Sequence, residues 1–322
     1  MHSRTFKFFQ VLFASSCLLW ASSLPANYES SKKTVVDLSV QEHYSQGQKA
    51  YQDENWEELL RHFTIIQKKY KTSSLANDAL YYEALGLFNL GDPEAANNRL
   101  DQYLSVISSP KFFEETAELK FQIAEAYRKG SRRHLFGLES MPKWVRSKSD
   151  SLEIYEELMR TFPYHEITAR ALSAAAKVYL KQKNYRQSIE SLNKLIQRFP
   201  KHHLVPDAYV ELANVYLKQC KKELDNPDLL SLAEINRRKF LEQFPQHDFI
   251  AKLDIAYKEM EQVYAQALYE TGRFYERRKK TNSSLIYYKN AIARFPETKA
   301  AESSQKRLVV LDPEFMISDL NV

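Results

Sequence analysis

Few side chains in this sequence have the type and spacing that catalysis or metal binding needs. His202-His203 is the only adjacent pair among eight histidines, and neighbouring residues point in different directions on a helix or loop, which makes a poor metal grip. No HExxH run and no paired-cysteine zinc spacing occurs. Six scattered glycines cannot form a phosphate-cradling loop, and Gly47, Gly86 and Gly272 fall inside helical patterns. Acid pairs such as Glu114-Glu115 and Glu156-Glu157 read more simply as solvated helix faces than as general acid–base partners. Cys220 has only Cys17 as a second cysteine, and Cys17 lies in the N-terminal apolar segment, so no intramolecular disulfide is expected. These residues predict no catalytic group, no metal and no cofactor. The chemistry that remains is that of contact surfaces.

The elements that would build such surfaces are helical. Residues 169–200, ARALSAAAKVYLKQKNYRQSIESLNKLIQRFP, place Ala176, Tyr179, Ser188, Leu192 and Pro200 at the offsets of a tetratricopeptide repeat. The small side chains at 176 and 188 let two antiparallel helices approach, while Tyr179 and Leu192 fill the space beside them. Asn184-Tyr185 makes the turn, and Pro200 ends the second helix. Gly272, Tyr275, Ser284, Tyr288 and Pro296 repeat the offsets, and units near 40–71 and 77–108 follow them more loosely. Ala124 with Tyr127, and Ala213 with Tyr216, open two units that close late, at Phe162-Pro163 and Phe244-Pro245. The spacing therefore predicts an all-α tetratricopeptide-repeat solenoid over 40–311, with about six helical pairs, two insertions (roughly 130–147 and 220–228) and a C-terminal capping helix over 298–311. Gly130, Gly137 and Pro142 predict a loop or broken helix in the first insertion. Apolar residues at helical spacing from Ile250 to Leu268 predict one long helix joining two repeats.

Composition agrees. The absence of alternating Val/Ile/Thr runs argues against a sheet protein, and the 20 tyrosines and 18 phenylalanines suit interlocking repeats. The net charge is +5, but residues 128–148 hold seven Lys/Arg against one acid, and removing that +6 leaves −1 for the rest. A nucleic-acid-binding surface along the array is not expected.

At the N-terminus, Arg4 and Lys7 precede the apolar run Phe8–Trp20, 13 residues long and too short to span a bilayer comfortably. Residues 1–26 read as an export signal. Conventional cleavage could follow Ser23 or Ala26; alternatively, Ala14-Ser15-Ser16-Cys17 is an imperfect lipobox that would place a lipid on Cys17. Residues 27–39 read as a flexible tether and 312–322 as a loose tail.

If first helices line the concave face, positions 2, 5, 9 and 12 of each unit point inward. The first unit then presents Gln41, Tyr44, Gln48 and Tyr51, and the second Asp78, Tyr81, Leu85 and Phe88. This aromatic groove suits an extended apolar-aromatic peptide. Later units present Arg170, Lys177, Lys181, Lys218, Arg273 and Arg277, a basic face suited to an acidic partner. Arg132, Arg133, Trp144 and Arg146 in the first insertion could touch anionic lipid or an acidic protein.

The run QKAYQDENWEELLRHFTIIQKKY followed by SSLANDALYYEALGLFNLGD resembles the start of the YfiO (BamD) family of outer-membrane-protein assembly lipoproteins. Residues 233–308 are similar to that family's later repeats, including the long joined helix and the FYERRK turn. The resemblance covers about two-thirds of the chain. This sequence departs from it in having six units where five are usual, the additional pair lying near 169–200, in lacking a repeat beyond 311, and in its poor lipobox. The resemblance implies a non-catalytic periplasmic scaffold tethered to the inner face of the outer membrane. Its partners would be the barrel-forming assembly protein, other assembly lipoproteins and unfolded outer-membrane proteins, with no nucleic acid. It implies a substrate groove at Tyr44, Tyr51, Tyr81 and Phe88 and a partner face at Arg273 and Arg277. Two other readings stand beside it: a periplasmic coordinator of peptidoglycan or cell-division machinery, which shares the repeat ends and the export signal, and a secretion chaperone or enzyme-associated scaffold; a cytoplasmic location would favour the chaperone, and the N-terminus argues against it.

Overall fold

The structure, a computed structural model, describes residues 38–106, 109–134, 143–146, 148–224 and 226–313. Over these residues the chain forms α1 (Val40–Gln52), α2 (Trp56–Lys69), α3 (Ser74–Asn89), α4 (Pro93–Val106), α5 (Phe113–Lys129), β1 (Arg132–His134), β2 (Lys143–Arg146), α6 (Lys148–Thr161), α7 (Glu166–Lys181), α8 (Tyr185–Arg198), α9 (Val205–Cys220), α10 (Asp228–Gln243), α11 (Ile250–Arg277), α12 (Thr281–Arg294) and α13 (Lys299–Leu311). Consecutive helices pair antiparallel into six units, α1–α2 through α11–α12, and α13 covers the end of the array. This is the tetratricopeptide-repeat solenoid that the spacing predicts.

Small residues sit where the offsets put them, for a steric reason. A Cβ on Gly47 would fall 2.6 Å from Phe63 Cε2, and one on Gly272 would fall 2.6 Å from Tyr288 Cε1. In the fourth unit Ser188 is fully buried and its hydroxyl donates to the carbonyl of Ala176 at 2.9 Å. In the first, fourth and sixth units the first helix thus lies directly against a ring or hydroxyl of its partner.

The core forms two apolar clusters, one built on units one to three and the other on units four to six. They meet across α7. Ala171, Ala174, Ala175 and Val178 face the first cluster, whereas Ala169, Leu172 and Ala176 face the second. A helix buried on both sides has room only for small side chains, which accounts for the run ALSAAAKV.

Turns and caps are local. Asn55 Oδ1 accepts the N–H of Glu58 at 3.2 Å, Asn184 Oδ1 that of Gln187 at 3.3 Å, and Asp92 Oδ1 that of Ala95 at 3.2 Å. His165 caps α7 through Nδ1, accepting from Ile167 at 3.1 Å, and His202 and His247 brace the turns before α9 and α11 in a similar way, accepting from Leu204 and from Phe249, each at 3.2 Å.

The long joined helix is α11, 28 residues without a break. The second insertion is the loop 221–227 between α9 and α10. The first differs from expectation. It is neither a plain loop nor a broken helix, since β1 and β2 pair antiparallel with Arg132 opposite Arg146 and Arg133 opposite Val145, and the register shifts between Arg133 and His134. Strands of three and four residues are too short to show alternation in the sequence. No helix among the described residues is long and apolar enough to cross a membrane. The export signal, Cys17, most of the tether, the tail beyond 313 and the side chains of Arg133, Trp144 and Arg146 lie outside the described residues.

Candidate partner-binding groove

The first helices α1, α3, α5 and α7 carry the candidate surface. At its N-terminal end, Tyr44 is half-buried, meets Phe63 edge-on at 5.5 Å and Tyr82 edge-on at 6.0 Å, and donates from its hydroxyl to Asp78 Oδ2 at 3.4 Å. Burial pushes its phenol well above the ordinary range, so it stays a neutral donor. Tyr51 is 44% exposed and touches Trp56 and Tyr82 only by ring edges, at 6.2 and 6.0 Å. Gln48 is exposed, while Leu85 and Phe88 are half-buried. Tyr81 is different: it is 9% exposed and stacked on Phe112 at 4.6 Å. The structure therefore joins Tyr44, Tyr51 and Asp78 into one aromatic cluster but turns Tyr81 into the packing between units. Tyr82 and Phe112 were not among the residues expected there. Tyr82 stacks on Phe63 at 4.4 Å and is the hub of the cluster.

Beyond Phe88 the groove continues as two adjoining hollows of about 590 and about 390 Å³ that share Phe121, Glu125 and Arg170. Arg170 lies over the Phe121 ring at 4.3 Å and grips Glu118 with two contacts of 2.5 and 3.1 Å. That fork holds the Glu118 carboxyl below its usual range. Glu125 accepts from Tyr155 at 2.5 Å and from Arg128 at 2.7 Å. The groove floor is thus aromatic, and its charges are already paired.

Lys177 lines the smaller hollow and is exposed, as is Lys181 one turn on. Arg273 is half-buried and reaches the Tyr269 hydroxyl at 3.2 Å, while Arg277 is exposed. The two lysines belong to α7 and the two arginines to α11, with the fifth unit between them in the chain.

One further hollow, of about 960 Å³, lies between α11, α12 and the loop after α9, lined by Leu224, Val263, Ala267, Leu268, Tyr287 and Phe295 among others. The sequence signal for it was the apolar spacing of α11, which reads equally as core.

Glu166, His202 and His203 bring donor atoms within 4.8 Å of one another. The Nδ1 of His202 is taken by the N–H of Leu204, so the neutral ring carries its proton on Nε2, 3.9 Å from Glu166. That nitrogen has no lone pair to offer a cation, and the ring braces the turn before α9. Cys220 is fully buried, its thiol directed at the carbonyl of Leu217 at 3.2 Å and pushed by burial up to about 11; it is an unreactive packing residue.

Stacked helical pairs with an open aromatic groove define a tetratricopeptide-repeat protein-interaction scaffold. The family model described as an outer membrane lipoprotein, YfiO, matches residues 145–313, just over half of the chain, and the chain belongs to that family. The matched segment runs through α7 and α8, the pair that the motif comparison set aside as additional, and stops short of α1–α5, where the aromatic cluster lies. No curated protein matches the chain. Among solved structures, the chain is similar to MamA from Desulfovibrio magneticus at 17% identity, over 65% of this chain and 97% of that one, with a TM-score of 0.38. It is also similar to a tetratricopeptide-repeat protein from Parabacteroides merdae at 12% identity, over 84% and 98%, with a TM-score of 0.38. A third likeness is to Pseudomonas aeruginosa pilF at 14% identity, over 72% and 97%, with a TM-score of 0.33. Nothing about binding follows from these three.

Proposed function

We propose that this protein is a non-catalytic periplasmic scaffold at the inner face of the outer membrane, holding partner proteins and unfolded substrates during β-barrel assembly. Membership of the YfiO family supports the location and the scaffold role. The observation that carries the substrate reading is the pair of accessible rings on successive first helices: Tyr51 on α1, 44% exposed, and Phe88 on α3, half-buried at the edge of the larger hollow. An extended chain with alternating aromatic side chains, the pattern of a barrel strand, could lay rings against them. Lys177, Lys181, Arg273 and Arg277 offer cations to acidic surfaces of the barrel-forming assembly protein or of other assembly lipoproteins. Cys17 would carry the lipid anchor.

Affinity purification from cell envelopes tests the assignment. The barrel-forming assembly protein is the expected prey; recovery of cell-wall enzymes in its place rejects it. Radiolabelled fatty acid should mark the wild-type chain and not Cys17→Ala, and label that persists in the variant removes the anchor at that residue.

A further inference from the structure

Helix α11 outruns the other first helices, at 28 residues against 16 in α7 and in α9. The twelve additional residues carry the α11–α12 turn about 18 Å further along the helix direction. That tip is basic and apolar at once. From Arg277 to Pro296 the sequence has six Lys/Arg and no acid. Arg278, Lys279 and Lys280, beyond the partner face proposed at Arg273 and Arg277, are all exposed. Phe274 is 40% exposed with the Arg278 guanidinium 4.2 Å above its ring, and Ile286, on the second helix of the tip, is 60% exposed. Tyr275 and Tyr287 stack at 5.4 Å and join the two helices there. Glu276 is occupied from within, accepting from Tyr288 at 2.7 Å and from Arg307 at 3.2 Å, and Lys289 pairs with Asp312 at 3.6 Å. Among the described residues Arg278, Lys279 and Lys280 are left without a carboxylate partner.

Lys279 sits at the apex of that turn. Its φ is +59°, in the left-handed region, as are Glu54 and Lys183 in the matching turns of the first and fourth units and Gly91 in that of the second. A lysine there is strained relative to glycine, and among the described residues its ammonium makes no ion pair.

Isolated cations around a protruding aromatic ring and an aliphatic side chain match the chemistry of an anionic bilayer surface. Headgroup phosphates would take the charges while Phe274 and Ile286 enter the acyl boundary. An acidic protein surface would satisfy the cations alone. We propose that the α11–α12 turn is a contact site for anionic phospholipid. This goes beyond the scaffold reading, which places no part of the repeat array on the membrane.

Flotation of the full chain with phosphatidylcholine vesicles, with and without phosphatidylglycerol, tests it. The variant Arg278→Gln/Lys279→Gly/Lys280→Gln removes three cations and relieves the left-handed strain, so its thermal midpoint should hold or rise. Each cation near a bilayer strengthens binding roughly five-fold, so the phosphatidylglycerol-dependent affinity should fall roughly a hundred-fold at low salt. The N-terminal apolar segment is common to both proteins and cancels. Equal binding of the wild type to both vesicle types, or unchanged phosphatidylglycerol affinity in the variant, overturns the proposal. So does a wild type that ignores vesicles but is retained through this turn by an acidic protein.

Discussion

His43 and His62 meet Nδ1 to Nδ1 at 3.0 Å inside the first helical pair, and both rings are buried. One nitrogen must donate and the other accept. Since His62 Nε2 also lies 3.1 Å from Glu58, the consistent arrangement has His43 donating to His62 and His62 donating to Glu58, both rings neutral. Burial lowers both pKa values from 6.5; around the pair, Glu58 opposes the shift on His62, while Arg61 and Lys69 reinforce it. A folded-state pKa below the unfolded value means stability that is complete above about 6.5 and is lost as the pH falls below it. Thermal midpoints measured between pH 7.5 and 5 should decline, and His43→Leu should flatten the curve. An unchanged slope in that variant would locate the titration elsewhere.

The turn bond of His202 makes a related prediction. It needs an unprotonated Nδ1 to accept the N–H of Leu204. Burial lowers the pKa of His202, with His203 and Arg170 acting the same way and Glu166 against. The bond is therefore retained at neutral pH and weakened as the pH falls below about 6.5. His202→Asn keeps an acceptor at every pH and should cost well under 1 kcal/mol at neutral pH, whereas His202→Ala should cost about 1 kcal/mol, the net worth of one hydrogen bond. Amide exchange at the start of α9 reports the difference.

Much of this fold was readable because close approach of backbones leaves a record in residue size. Gly47, Ser188 and Gly272 are small because Phe63, Ala176 and Tyr288 occupy the space beyond them. The hairpin left no such record, its strands being shorter than any alternation can reveal. The groove was half legible for a different reason. Tyr81 and Tyr82 are adjacent, about 100° apart around α3, yet both are buried, because Phe112 covers one and Phe63 the other. Phe112 precedes α5, where repeat offsets give no warning of it. The charged face read from α7 was also blind to pairing, since Glu118 lies 52 residues before Arg170.

Lys120 is fully buried between units two and three, its ammonium 3.0 Å from Glu157 and 3.1 Å from Asn97, with Asp101 also in contact. Lys120→Met leaves two carboxylates facing each other without a cation and should destabilise the protein by about 3 kcal/mol at neutral pH. Burial already raises the Glu157 pKa, so in the variant this group takes up a proton as the pH falls. The loss should therefore shrink toward pH 5, a trend that urea melts at two pH values would show. A pH-independent loss would mean that packing, not charge, holds this junction.

The groove makes the sharpest separation, between Tyr51 and Tyr81. Tyr51 touches its neighbours only by ring edges and is 44% exposed, so Tyr51→Ala should cost less than about 1 kcal/mol of stability. Tyr81 is stacked on Phe112, and Tyr81→Ala opens a cavity at the junction of units two and three, at a cost of about 3 kcal/mol. Only the first substitution can report on binding without disturbing the fold. Combined with Phe88→Ala, it removes two open rings, and each ring contact contributes about 1 kcal/mol beyond its buried area. Affinity for an aromatic-rich peptide from a barrel strand should fall at least about ten-fold, measured by fluorescence anisotropy with helical circular dichroism unchanged. If Tyr51→Ala/Phe88→Ala binds that peptide as the wild type does, these rings are packing residues and the substrate lies elsewhere on the array.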